Sequence, residues 1–476
     1  MKRASGVLMP IFSLPSNYSV GSFGEEAFWF IDFLAANGFT YWQVLPFGVT
    51  DSFHSPYQSY SAFSGNPYFI DLPTLAEQGL ITKEELMNAT QKSPYLCEYD
   101  RLESERLVLL KKASLRVSAQ EKEKIEQWAN DTEVMHYARF MALKEKNNGT
   151  CWNEWVDLAP DPQTVFLWQF IEYHFQAQWK MVLDYAHTKN ISIIGDLPIY
   201  VSYDSCDVWS HPDQFLLDEK GYPTHVAGCP PDYFAKEGQL WGNPLYHWDK
   251  MKADDFAWWK ERMAYQMQLF DGVRLDHFRG FESFWAVPFG SKTAVNGQWI
   301  KGPGMDFVRA MKQVAGEKLI IAEDLGDITP EVEQLVKDSE FPGMRVFQFA
   351  FLGGNNPHLP HNYIQNCVAY SGTHDNNTLL GYLWELDDAT RQTMLSYCGF
   401  KGNDWGIGWR DVLRVMMASA ADLVIFPIQD LLGYGADTRV NKPGIANENW
   451  QVRFTKEQIA SIDQTYIKDL HRLYFR

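Results

Sequence analysis

Short apolar runs, rich in β-branched and aromatic residues, recur along the chain, and each ends in polar residues or in Gly or Pro. Continuous apolar runs of this length are typical of strands buried in a parallel sheet. Helix-like stretches lie between several of them, at 24–37, 171–189, 257–270 and 329–339. The predicted strands lie at 7–12, 41–46, 191–196, 272–276, 319–323, 345–349, 367–371 and 423–429.

The alternation of eight such runs with helices predicts an α/β fold, a (β/α)₈ TIM barrel in which residues 1–476 form one domain. A doubly wound parallel sheet is the alternative that the same pattern allows. Neither a GxGxxG nor a Walker A sequence follows any of the predicted strands, and this favours the barrel.

Two gaps between predicted strands are too long for ordinary connections. The first, at 70–170 between strands two and three, contains a charge-rich tract with leucines at helical spacing, and we expect a largely helical insertion. The second, at 202–255 after strand three, is rich in Gly, Pro, Trp and Tyr and predicts a loop-rich insertion. After the eighth strand about fifty residues remain, whereas a typical β-sandwich domain needs about 100. We therefore expect no C-terminal sandwich. The leucines of the helical tract are Leu102, Leu107, Leu110 and Leu115.

The charge balance narrows the classes of partner. The chain has 60 acidic and 42 basic residues, a net charge of −18, whereas nucleic acids and anionic membranes require clustered Lys and Arg. No run of about 18 apolar residues is present, so no membrane span is expected. Six dispersed cysteines without a CxxC motif are typical of reduced thiols, and we expect a cytoplasmic protein. Aromatic residues make up 15% of the chain, and their faces suit the apolar faces of sugar rings.

Acidic residues stand at the ends of four predicted strands: Asp196, Asp276, Glu323 and Asp375. Barrel enzymes carry their chemistry at the carboxyl ends of the strands, so these four side chains are expected to converge on one mouth. Each one alone could be a helix N-cap or a loop residue. Together they predict a site, because bringing several carboxylates close together requires desolvation and raises some of their pKa values.

The spacing of neighbouring residues assigns different environments to these acids. Arg274 and Asp276 are two positions apart on a strand and face the same way, so the arginine should keep the carboxylate ionised, as a nucleophile requires. Glu323 ends the apolar run LIIAE, and partial burial would raise its pKa toward general-acid function. Asp324 should face the other side of the strand in a structural role. His374, beside Asp375, could donate a hydrogen bond to a bound hydroxyl.

Other chemistries have weaker support in the sequence. HExxH is absent, and His358 and His361 lie in a Pro-rich loop without a nearby acid, so we predict no metal site. GxSxG is also absent, which argues against a Ser-His-Asp hydrolase.

Several segments resemble the signature regions of the α-amylase superfamily and, within it, the 4-α-glucanotransferases of glycoside hydrolase family 77, the amylomaltases or disproportionating enzymes. The strand-end segments that carry this resemblance are VRLDHFRGF at 273–281, IIAEDLG at 320–326 and SGTHDNNT at 371–378. Further matches lie at 55–72, 195–201 and 230–246. Matches continue beyond residue 440, where VNKPG departs from the family pattern by having Lys442, so the resemblance covers essentially the whole chain.

The resemblance implies a role for each strand-end residue. Asp276 would be the nucleophile, Glu323 the general acid/base and Asp375 the residue that stabilises the transition state. Contacts to the sugars would come from the remaining matched residues. These are Asp196, Arg274 and His374 around the cleaved bond, Tyr57, Gln239 and Trp241 on the donor and acceptor surfaces, Asp232, Tyr233 and Phe234 in a mobile loop, and Asn441.

The resemblance also implies the reaction, in which a segment of a 1,4-α-D-glucan moves to the 4-OH of an acceptor glucan or glucose by a retaining double displacement. Maltooligosaccharides and α-1,4-glucans would be donors and acceptors, and no cofactor, nucleic acid or membrane is expected. The carboxylates alone also allow an α-glucan hydrolase. A branching enzyme and a non-enzymatic glucan-binding protein are further alternatives, although a binding protein has no use for three carboxylates on separate strands.

Overall fold

A computed structural model describes residues 2–50, 53–130, 132–231, 236–445 and 447–476. Within these ranges the chain forms strands and helices that alternate along most of its length. The strands are β1 Ala4–Leu8, β2 Tyr41–Gln43, β3 Ser192–Leu197, β4 His225–Cys229, β5 Gln239–Pro244, β6 Gly272–Leu275, β7 Ser283–Pro288, β8 Gln298–Lys301, β9 Leu319–Ala322, β10 Gly343–Val346, β11 Cys367–Tyr370 and β12 Leu423–Pro427.

The helices alternate with the barrel strands or occupy the long connections. They are α1 Glu25–Ala36, α2 Leu72–Glu77, α3 Lys83–Asn88, α4 Tyr99–Arg101, α5 Leu107–Ser114, α6 Ala119–Ala129, α7 Glu133–Lys146, α8 Pro162–Thr188, α9 Cys206–Ser210, α10 Trp248–Ala253, α11 Ala257–Leu269, α12 Gly304–Ala315, α13 Pro330–Ser339, α14 Leu379–Glu385, α15 Asp388–Tyr397, α16 Trp409–Ala418, α17 Ile428–Leu432, α18 Lys456–Ala460 and α19 Gln464–Tyr474.

In the described part of the chain, eight parallel strands close into a barrel in the order β1-β12-β11-β10-β9-β6-β3-β2. Each of the eight predicted runs overlaps one of these strands, so the prediction of a TIM barrel is confirmed and the doubly wound alternative is wrong. The strands are buried on both faces, as the apolar runs predict: every residue of β6, β11 and β12 is buried.

The chain between β2 and β3 carries helices α2 to α8. The long helix α8 begins at Pro162, where the Asp161 side chain accepts a hydrogen bond from the backbone N–H of Thr164, and it packs along α7. Of the leucines noted in the sequence, Leu102 and Leu110 are buried. Leu115 is exposed because α5 ends there, beyond its apolar contacts.

A second sheet is antiparallel, in the order β5-β4-β7-β8. It joins two strands from the 202–255 insertion to a hairpin that follows β6, and the sequence pattern did not predict it. Its strands show no regular alternation of buried and exposed positions, and the β4–β5 pairing shifts in register between Val226 and Gly228. Such short, irregular strands resemble loops in a sequence of this composition. No helix in the described ranges has the length and apolar character needed to cross a membrane.

Candidate active site

Three neighbouring barrel strands bring the predicted acids together. In the register of β3, β6 and β9, Asp196 lies opposite Arg274 and Leu275 lies opposite Ala322. Asp276 and Glu323 are the first residues after β6 and β9, and their backbone N–H groups continue the ladder by donating to the carbonyls of Leu197 and Leu275. Because adjacent strands lie about 4.8 Å apart, the two carboxyl groups emerge side by side at the carboxyl end of the barrel.

Arg274 contacts two of the four acids, Asp196 and Asp276. Its Nη1 donates to both carboxylate oxygens of Asp196 at 2.8 Å, and its Nη2 lies 3.0 Å from Oδ1 of Asp276. The hydroxyl of Tyr57 donates to Oδ2 of Asp196 at 2.8 Å. Asp196 is 2% exposed, so its carboxyl oxygens are hydrogen-bonded to these side chains and not to bulk water. Burial raises the pKa of Asp276 to about 6, and the adjacent Arg274 limits the rise.

Backbone groups fix the orientation of Glu323. The N–H of His277 donates to Oε2 at 2.7 Å, and the N–H of Leu325 donates to Oε1 at 2.9 Å. His277 has a φ of 49°, in the left-handed region, so the chain turns sharply directly after this hydrogen bond. Burial raises the pKa of Glu323 to about 7; Arg274 opposes the rise and the charge of Asp276 adds to it. The charge of Asp276 thus favours the protonated form of Glu323.

Asp375 lies across the mouth from this pair, on the loop after β11. Its Oδ2 is 3.3 Å from Nε2 of His374, and its Oδ1 accepts a hydrogen bond from Nδ2 of Asn441 at 2.6 Å. Desolvation acts to raise the pKa of Asp375, but His374 and the Asn441 hydrogen bond outweigh it and lower the pKa below its usual range. Burial acts to lower the pKa of His374, and the charge of Asp375 raises it overall. Asp375 is therefore ionised at neutral pH.

A cavity of about 440 Å³ opens over these groups. It is lined by nine of the residues that the sequence predicted for the site: Tyr57, Gln239, Trp241, Arg274, Asp276, Glu323, His374, Asp375 and Asn441. Asp196 does not line it. That residue lies one layer deeper and lines a second cavity of about 50 Å³ beneath Tyr57. Asp232, Tyr233 and Phe234 lie outside the described residues.

Aromatic rings form the walls of the larger cavity. Tyr57 stacks on His374 with the ring centres 5.2 Å apart and an interplanar angle of 18°. On the opposite wall Trp241 meets His277 edge to face at 4.8 Å, and its indole N–H donates to Oε1 of Gln239. Paired carboxyl groups between aromatic faces suit general acid/base and nucleophilic chemistry on a sugar ring.

Sequence and structure comparisons agree with this geometry. The sequence model of glycoside hydrolase family 77, described as 4-alpha-glucanotransferase, matches residues 9–459. The 4-alpha-glucanotransferase of Clostridium butyricum is 42% identical over 98% of this chain and 100% of its own length. That of Thermus thermophilus is 40% identical over 97% of this chain and 96% of its own.

The chain belongs to the 4-alpha-glucanotransferase family. The structure of the amylomaltase from Streptococcus agalactiae in complex with acarbose superimposes with a TM-score of 0.95 and 36% identity, covering 100% of both chains. The amylomaltase from Corynebacterium glutamicum has a TM-score of 0.81 at 16% identity, covers 98% of this chain and 75% of its own, and shows that the fold is shared. The predicted resemblance to the family is confirmed.

The larger cavity is also lined by residues that the sequence did not predict. Trp450 lies 5.8 Å from Tyr57 and 5.9 Å from His374, ring centre to ring centre, and closes one side of the cavity. His277 orients Glu323 through its backbone. Nε2 of Gln58 donates to Oδ1 of Asn243 at 3.3 Å and joins the segment beside Tyr57 to β5. Gln58 lies inside the matched segment 55–72, whereas nothing in the sequence spacing indicated Trp450.

Two histidines considered for metal binding have other partners in this family member. Nδ1 of His358 accepts a hydrogen bond from the N–H of Val346, and Nδ1 of His361 lies 2.9 Å from the hydroxyl of Tyr397. Across the described residues, no group of three or more His, Cys, Asp or Glu side chains is arranged to hold a metal ion. Asp324, expected to be structural, accepts from the N–H of Met344 and pairs with Arg345 at 3.1 Å.

Proposed function

We propose that the protein transfers a segment of a 1,4-α-D-glucan to the 4-OH of an acceptor glucan or glucose through a covalent intermediate on Asp276. The observation that carries the proposal is the pair Asp276 and Glu323, adjacent at the barrel mouth in a chain of the 4-alpha-glucanotransferase family. Arg274 lies against Asp276, whereas two backbone N–H groups orient Glu323. Residues 1–476 would act as one catalytic barrel, with 70–170 and 202–255 as insertions. Incubation of the purified protein with maltotriose tests the proposal: longer and shorter maltooligosaccharides should form together.

In the first step Asp276 attacks the anomeric carbon while Glu323 gives its proton to the oxygen of the leaving glucan. Arg274 supports the ionised Asp276, and the two backbone N–H groups keep Glu323 aimed at the leaving oxygen. Asp375, ionised and held by His374 and Asn441, stabilises the positive charge that develops on the sugar ring. The step produces a β-glycosyl ester on Asp276.

In the second step Glu323, now ionised, removes the proton from the 4-OH of the acceptor, which displaces Asp276 and restores the α configuration. Water in the same position would give hydrolysis, which is the alternative function. The stacked wall of Tyr57, His374 and Trp450 and the opposite wall with Trp241 support transfer, because they provide faces that hold an acceptor sugar beside the ester. The acarbose complex of the S. agalactiae amylomaltase suggests acarbose as an inhibitor to test here.

The activity should depend on pH with a bell-shaped profile. Below about pH 6 Asp276 binds a proton and loses its nucleophilic form, and above about pH 7 Glu323 loses the proton that the leaving group needs. We therefore expect kcat/KM for maltotriose to be highest between these values. Glu323→Gln should remove the alkaline limb of the profile and leave the acid limb. An alkaline limb that persists in this variant would contradict the assignment.

The aromatic walls should determine whether transfer exceeds hydrolysis. Water is present at about 55 M, whereas a well-oriented partner can reach an effective concentration of about 10⁵ M or more. Tyr57→Ala or Trp241→Ala should therefore reduce transfer by about tenfold or more and raise the fraction of intermediates captured by water. The measurement is the ratio of new reducing ends to redistributed maltooligosaccharides at a fixed maltotriose concentration. An unchanged ratio with lower total activity would assign these rings to donor binding or packing.

A further inference from the structure

The loop that carries Tyr57 lies over a small cavity for part of its length. We define the Tyr57 loop as residues 55–66; its Pro56, Tyr57 and Ser61 line one side of the 50 Å³ cavity. The other side is lined by Asp196, Asp207 and Arg262, all buried. The end of the loop is anchored, because Phe63 packs against Trp258 and the N–H of Gly65 donates to the carboxyl group of Glu172. The part over the cavity has fewer close-packed neighbours, so its position depends more on hydrogen bonds.

Helix α9 supplies two of these hydrogen bonds. The N–H of Cys206 donates to the carbonyl of Tyr60 at 2.8 Å, and Oδ2 of Asp207 accepts from the N–H of Ala62 at 2.9 Å. Asp207 is 2% exposed, and its other oxygen, Oδ1, has no hydrogen-bond partner among the described residues. Burying a carboxyl group costs desolvation free energy. The contribution of Asp207 here is therefore its hydrogen bond from the N–H of Ala62.

Arg262 holds the opposite side of the same cavity. From α11 it donates to the backbone carbonyls of Pro198 at 2.7 Å and Ile199 at 3.2 Å, which follow β3 directly after Asp196 and Leu197. The Tyr57–Asp196 hydrogen bond thus joins the Tyr57 loop to the end of β3. Asp207 holds the Tyr57 loop through Ala62, and Arg262 holds the residues that follow β3. Loss of the Ala62 hydrogen bond would weaken the support of Tyr57, whereas Asp196 stays in the β3–β6 ladder and against Arg274.

We propose that Asp207 is a positioning residue for the transfer reaction: it holds Tyr57 against Asp196 and His374 by accepting the N–H of Ala62, and so presents the tyrosine ring to the acceptor sugar. Asp207 does not line the larger cavity and touches no reacting atom. The proposal rests on the proposed function, because it needs a transfer step in which Tyr57 holds the acceptor.

The test compares Asp207→Ala, Tyr57→Ala and the double variant. Asp207→Ala should lower transfer from maltotriose about tenfold and raise the hydrolysis-to-transfer ratio as Tyr57→Ala does. Hydrolysis of α-maltotriosyl fluoride without added acceptor should change by less than about threefold, since this reaction does not use the acceptor wall. The double variant should match Tyr57→Ala alone, because Asp207 acts through the tyrosine. Asp207→Asn, whose amide oxygen still accepts from Ala62, should restore most of the transfer.

Asp71→Ala is the matched control. Asp71 is also a buried carboxylate that accepts a backbone N–H, that of Thr74, but it lines neither cavity. This variant should lower stability without changing the hydrolysis-to-transfer ratio. If Asp207→Ala does not fold, Asp207→Ser takes its place, because the serine hydroxyl is too short to reach Ala62.

The possible failures can be told apart. A wild-type protein that does not redistribute maltotriose would overturn the proposed function. A wild type that does so, with the expected change in Tyr57→Ala but an unchanged ratio in Asp207→Ala, would overturn the positioning role alone. Effects of the two substitutions that multiply in the double variant would also overturn it.

Discussion

Asp276→Asn should abolish turnover of maltotriose, with a loss of about 10⁴-fold or more. The amide cannot form the glycosyl ester, and a 10⁴-fold loss corresponds to about 5.5 kcal/mol of transition-state stabilisation. The fold should survive, because Arg274 keeps both of its hydrogen bonds to Asp196 and no buried charge loses its last partner. Binding of maltoheptaose, measured by calorimetry, should remain within a few-fold of that of the wild type.

The location of the covalent intermediate gives a direct check of this role. A fluorinated α-glucosyl fluoride, which slows the second step, should leave its sugar on the peptide that contains Asp276, and mass spectrometry identifies the residue. A sugar on Glu323 or Asp375 would contradict the assignment. Azide added to an Asp276→Gly variant should yield the β-glycosyl azide, because the anion then attacks the donor directly from the vacated face.

The barrel and the convergence of its acids could be predicted because both depend on local pattern. Buried parallel strands give continuous apolar runs, and the residue that follows such a run lies at the mouth. Asp276 and Glu323 obey this rule as the first residues after β6 and β9. Asp196 instead lies inside β3, before Leu197, and is therefore one layer deeper. A shift of one or two positions is within the uncertainty of a predicted strand end.

Features that depend on tertiary contact could not be predicted from these patterns. Trp450 lies in a segment without periodicity and joins Tyr57 only through the fold. The orientation of Glu323 depends on a backbone N–H of His277, and a backbone donor leaves no signal in the side-chain sequence. Asp207 appeared as an ordinary polar residue in a predicted loop. Its role is set by Ala62, 145 residues away in the chain. The family resemblance supplied Asn441, whose contact with Asp375 no spacing rule would give.

Glu323→Gln should slow the reaction of maltotriose far more than that of α-maltotriosyl fluoride, because only the first donor has a leaving group that needs a proton. Transfer from maltotriose should fall by about 10²–10⁴-fold, the usual contribution of a general acid. Release of fluoride from α-maltotriosyl fluoride, which reports formation of the Asp276 ester, should fall much less, because fluoride leaves without protonation. In the native protein the two oxygens of Glu323 accept hydrogen bonds from the N–H groups of His277 and Leu325. The glutamine has the same shape, but its amide nitrogen would face one of these N–H groups, and two donors cannot bond to each other. We therefore also expect a stability loss of about 1–3 kcal/mol, visible as a lower Tm.

The second half of the reaction gives this variant an independent signature. With the fluoride donor, Asp276 still forms its ester, but no base remains to activate an acceptor hydroxyl, so the intermediate should accumulate. Azide needs no deprotonation and should therefore restore turnover and give the α-glycosyl azide, the product of two inversions. This is the opposite anomer from that expected for Asp276→Gly, so the two carboxyl groups are distinguished by product stereochemistry as well as by rate. Equal losses with both donors, together with no response to azide, would show that Glu323 is not the acid/base.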